Sequence, residues 1–66
     1  MHRIQTETND RQIIQRFCDE VNASHRGCDM NATQRLGSAN VVIMGDCGGQ
    51  AFVDLITKIH RAGYMR

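Results

Sequence analysis

The run Val41-Val42-Ile43-Met44 constrains the fold more than any other stretch, because turn-forming residues close it off on both sides. Gly37-Ser38-Ala39-Asn40 precedes it and Gly45 follows it. A short, mostly β-branched apolar run with such boundaries reads as a strand. It lacks apolar-polar alternation, which predicts cover on both of its faces. The segment Ala32 to Leu36 carries a weaker strand pattern, so the two are expected to pair as a hairpin.

A helical pattern stands on each side of this hairpin. From residue 10 to 24, Ile13, Ile14, Phe17, Cys18 and Val21 fall on one stripe, and Arg11, Gln15, Asp19 and Asn22 line the other side. Asn9 is the expected cap, with Gln12 in capping-box position and Asp10 in the first turn. Gly27 is the expected C′ stop. After Asp46-Cys47-Gly48-Gly49, a second helix runs to about Arg61 and buries Phe52, Leu55, Ile56 and Ile59. Asp54 and Lys58 suit an i,i+4 pair, and Gly63 offers a stop. Residues 2 to 7 suit a short first strand, with Arg3, Gln5 and Glu7 on one face and Ile4 and Thr6 on the other.

The order is therefore β-α-β-β-α, a ferredoxin-like pattern without its last strand, or α-β-β-α if the first strand is absent. Either is an α+β fold: one domain over 1–66, a small antiparallel sheet and two helices on one face. Ile13, Phe17, Val21, Val42, Met44, Phe52, Leu55, Ile56 and Ile59 are the expected shared core. With 66 residues, such a domain buries only about 60% of the surface its unfolded chain exposes. Exposed sheet edges invite pairing between copies, so a homodimer is expected as readily as a monomer.

Composition narrows the function classes. No stretch approaches the ~20 apolar residues of a membrane span, and Met1 to Glu7 lacks the apolar run of a signal peptide. A cytoplasmic protein without a membrane partner is expected. Three cysteines, Cys18, Cys28 and Cys47, cannot all pair within one chain and form no C-x-x-C, so reduced thiols are expected. The sequons at Asn22 and Asn31 are read as chance. Eight cations against seven anions give a net charge of +1, far from the strong basic balance of a domain that lives on phosphate backbones.

Three constellations invite a chemical reading. A strand, the loop Gly45-Asp46-Cys47-Gly48-Gly49 and a helix N-terminus have the elements of an anion site. However, no lysine follows the glycines and Asp46 sits at the mouth, so the loop reads as a tight connection with Asp46 capping the helix. Cys47 before a helix suggests a nucleophile with His25 or His60 as base. A chain this short leaves little room for a pocket and an oxyanion hole, and a packed Cys is expected. His25 and Cys28 have knuckle spacing, with Cys18, Cys47 and His60 as further donors, but zinc sites use paired knuckles. No metal, no cofactor and no catalysis are expected.

Two function classes remain. The first is a small non-enzymatic interaction protein that occupies a surface on a larger protein or ribonucleoprotein. Arg11, Arg26, Lys58, Arg61, Tyr64 and Arg66 are its expected binding residues, since Arg forks suit carboxylate and phosphate. Stand-alone chains of this size commonly come from phages and mobile elements. An inhibitor of host defence, of the anti-CRISPR type, is the expected member of this class. The alternative is a small nucleic-acid-binding regulator. It would use the acid-free stretch of Lys58, His60, Arg61, Tyr64 and Arg66, with Tyr64 stacking on a base.

Overall fold

In the computed structural model, which describes residues 1–34 and 40–65, the element order is β1 (His2–Gln5), α1 (Arg11–Ser24), β2 (Asp29–Thr33), β3 (Val42–Asp46) and α2 (Gly49–Arg61). The first strand is present, so the α+β arrangement is β-α-β-β-α. Its three strands form an antiparallel sheet in the order β1-β3-β2. β3 takes the centre, with Ile43 opposite both Ile4 of β1 and Ala32 of β2.

One face of the sheet carries the core. Ile4, Met30, Ala32, Val41 and Ile43 join Ile14, Cys18 and Val21 of α1 and Ala51, Leu55 and Ile59 of α2 in a single buried cluster. Phe17, Phe52 and Ile56 pack against that cluster while half-buried. The expectation for the central strand is corrected here. Val41 and Ile43 point inward, whereas Val42 is half-buried and Met44 is 37% exposed. Alternation invisible in an all-apolar run was decided by pairing, because Ile4 already points to the core and sits opposite Ile43. Among the described residues, β3 is therefore covered on one face only.

β2 begins and ends before the expected Ala32 to Leu36. Its pattern is Met30 and Ala32 inward, Asp29, Asn31 and Thr33 outward. The turn expected over Gly37-Ser38-Ala39-Asn40 lies, apart from Asn40, outside the described residues, as do Arg35 and Leu36. The antiparallel β2 and β3 are consecutive strands, so the hairpin stands.

The helix ends differ in detail from the sequence expectation. Asp10, not Asn9, caps α1: its Oδ1 accepts the Ile13 N–H at 3.3 Å, and its own N–H donates to Thr8 Oγ1 at 3.1 Å. Thr8 thus preorients Asp10 one residue later than the expected capping box. The cap at the other end of α1 is the extended His25, so Gly27 lies two residues beyond it and uses φ +73° to turn the chain into β2. Gly63 fits the expected stop. Its φ is +85°, the Tyr64 N–H donates to Ile59 O and the Gly63 N–H to His60 O, the two bonds of a Schellman end.

Candidate interaction surface

The two outer strands of the sheet expose their main chain differently. The Thr6 N–H donates to Val41 O at 3.0 Å. By alternation, even-numbered residues of β1 bond to β3, and Arg3 and Gln5 direct their N–H and C=O groups away from the sheet. Neither residue makes another hydrogen bond on that side among the described residues. At the end of this edge, the Glu7 N–H donates to Tyr64 O at 2.7 Å.

The outer edge of β2 is sealed by side chains of α1. Asn22 donates from Nδ2 to Met30 O and accepts the Met30 N–H at Oδ1, both at 2.9 Å. Gln15 Oε1 accepts the Ala32 N–H at 3.0 Å, and Arg11 Nε donates to Ala32 O at 3.2 Å. Spacing of 4 and 7 residues sets Arg11, Gln15 and Asn22 on one side of α1, the side lying over β2. The sequence sets these residues on the side of α1 opposite its apolar stripe. In the fold they supply what a neighbouring strand would.

The sheet face opposite the helices has no cover among the described residues. Met44 lies between Arg3 of β1 and Asn31 of β2, and Val42 between Gln5 and Thr33. Asp29 and Asp46 pair across its far end, where the Met1 amino group stands 3.1 Å from Asp46 Oδ1. This corrects the expectation that Asp46 caps α2. The cap is Gly48, with no side-chain bond, and Asp46 belongs to β3.

Three of the sequence-predicted binding residues make contacts within the domain. Arg11 is tied to Ala32. Lys58 reaches Glu20 at 4.0 Å across the helix pair, and Asp54 meets His25 at 3.3 Å, so the expected Asp54 to Lys58 pair gives way to two interhelical ones. Tyr64 is half-buried, its ring 6.3 Å from that of Phe17. Arg26 and Arg61 are exposed without an ion pair among the described residues, and Arg66 lies outside them. Lys58, His60 and Arg61 occupy the last turn of α2, where the helix dipole favours cations.

Sequence reasoning did not single out Arg3, Gln5, Val42 and Met44 as candidate binding residues. The alternation of residues 2 to 7 was the available signal for the first two. Among the described residues, no three of His, Cys, Asp and Glu are grouped to hold a metal ion. No described helix is long and apolar enough to cross a membrane. The chain matches no family model, no curated protein and no solved structure.

Proposed function

We propose that this chain is a non-enzymatic interaction protein that receives an extended segment of a larger protein on the open edge of β1 and the adjoining bare sheet face. The observation carrying this reading is the contrast between two edges of one sheet. Four main-chain groups of β2 are satisfied by α1 side chains, whereas the four outward groups of Arg3 and Gln5 have no partner among the described residues. An unpaired edge offers hydrogen bonds that any extended peptide can take, and alternate side chains beside it provide selectivity. Met44 and Val42 supply an apolar centre, and Arg3 supplies a fork for a carboxylate.

The position of this edge adds support. In a ferredoxin-like sheet the last strand, absent from the present element order, lies beside the first. A partner strand on β1 would fill that place. The nucleic-acid alternative draws less support, because Phe17 and Tyr64 pack together and Phe52 stacks on His2 at 4.3 Å. The three aromatic rings are thus engaged within the domain.

Capture from the native source, with nuclease treatment and a salt series, tests the proposal. The bound protein should survive nuclease and be lost with Gln5→Pro, which removes an outward N–H without touching the ladder to β3. Met44→Glu should weaken capture, and Val53→Glu, at a 58% exposed site on α2, should leave it unchanged. Capture that disappears with nuclease, or binding to bare RNA or DNA with a steep salt slope, would replace the protein-partner reading with the regulator.

A further inference from the structure

The register of the hairpin brings together two cysteines far apart in the sequence. Asp29 and Asp46 are the last paired residues of β2 and β3, and one further step sets Cys28 opposite Cys47. Even-numbered residues of β3 bond to β2, since its odd-numbered residues bond to β1. The step from Asp46 to Cys47 therefore lands on a non-hydrogen-bonded site. Such sites bring facing Cα atoms to about 4.5 Å, within the span a disulfide bridges. Cys28 and Cys47 are both half-buried, both packed against the core cluster, and both free thiols.

We propose that Cys28 and Cys47 form a dithiol site that a low-molecular-weight disulfide oxidises to an intramolecular cross-strand disulfide. The thiolate of Cys47 attacks one sulfur of the small disulfide RS–SR, forming Cys47–S–SR and releasing RS⁻. Cys28 passes its proton to solvent and attacks Cys47 Sγ. The Sγ–Sγ bond forms and the second RS⁻ leaves. Two protein thiols are oxidised and one small disulfide is reduced to two thiols.

Two further observations bear on this chemistry. The thiols of Cys28 and Cys47 are within hydrogen-bonding reach; burial first, then Cys47, then Asp29 raise the Cys28 thiol above its ordinary value. This assigns Cys28 to the second, resolving step. Cys18 is fully buried and its thiol is pushed up to about 12, chiefly by burial. It is the cysteine that stays out of the exchange.

Trypsin separates the three cysteines, with Cys18 in residues 17–26, Cys28 in 27–35 and Cys47 in 36–58. The whole chain, equilibrated with mixtures of glutathione and glutathione disulfide and then alkylated, should yield peptide 27–35 linked to 36–58 with Cys18 alkylated. Half-oxidation should need roughly ten-fold less glutathione disulfide than half-glutathionylation of Cys47 in Cys28→Ser, because the second step is intramolecular. In Cys28→Ser and Cys47→Ser the remaining thiol should keep its glutathione. Both thiols glutathionylated on one chain, a link to Cys18, a link between two chains, or full reduction in pure glutathione disulfide would each overturn the proposal.

Discussion

β1 and β2 flank the same central strand in antiparallel register, yet their outer edges are finished by different means. β2 lies under α1, whose Asn22, Gln15 and Arg11 reach over and satisfy Met30 and Ala32. Among the described residues, β1 has no helix side chain bonded to its outer edge, and the nearest main-chain bond on that side is from the Glu7 N–H, just beyond the strand, to Tyr64 O. An amide side chain can replace a strand because it carries a donor and an acceptor at main-chain spacing. A three-stranded sheet thereby covers the main chain of one edge while the other stays unpaired among the described residues.

The severest test of this comparison acts where all three strands meet. Gly45 has φ +150°, and a Cβ there would stand 1.9 Å from Asp29 O and 2.9 Å from Met30 Cα. Gly45→Ala should force β2 from β3 and cost more than about 4 kcal/mol. A urea melt resembling that of the unchanged chain would show that the β2 seam is not the rigid side of the sheet.

Alkaline unfolding probes the buried face of α1, which fixes the helix over β2. With the folded pKa of Cys18 raised from 9.0 to about 12, the protonated thiol favours the folded state. That contribution is whole below pH 9 and is lost as pH rises towards 12, up to about 4 kcal/mol over the interval. Between pH 9 and 11, Cys18→Ala should therefore lose stability less steeply than the unchanged chain. Parallel slopes would refute the assignment.

Removing the seal on β2 should cost less. Asn22→Ala strands one N–H and one C=O of Met30, a loss of about 2–3 kcal/mol, readable as a lower denaturation midpoint and faster hydrogen exchange at Met30. The smallest effect belongs to the other edge. Gln5→Pro should stay within about 0.5 kcal/mol of the unchanged chain. If Gln5→Pro cost as much as Asn22→Ala, the two edges would be equally engaged and the open-edge proposal would fall.

Much of the fold was legible in the residues, since both helices, the hairpin and the first strand follow from spacing and punctuation. Leu55, Ile59 and Val21 announced their burial through helical periodicity, and Gly63 announced the end of α2. The candidate surface was largely illegible. Which of Val42 and Ile43 faces the core has no local answer, because both are apolar and β-branched; Ile4 and Ala32, brought alongside by pairing, decide it. Likewise, the spacing of Arg11, Gln15 and Asn22 sets them on the polar side of a helix, and only β2 gives them main-chain partners. Periodicity determines how a segment divides its own faces, but what each face meets depends on contacts between residues distant in the chain. Cys28 and Cys47, 19 positions apart in the sequence and each one residue beyond the last paired residues Asp29 and Asp46, depend on the tertiary structure in the same way.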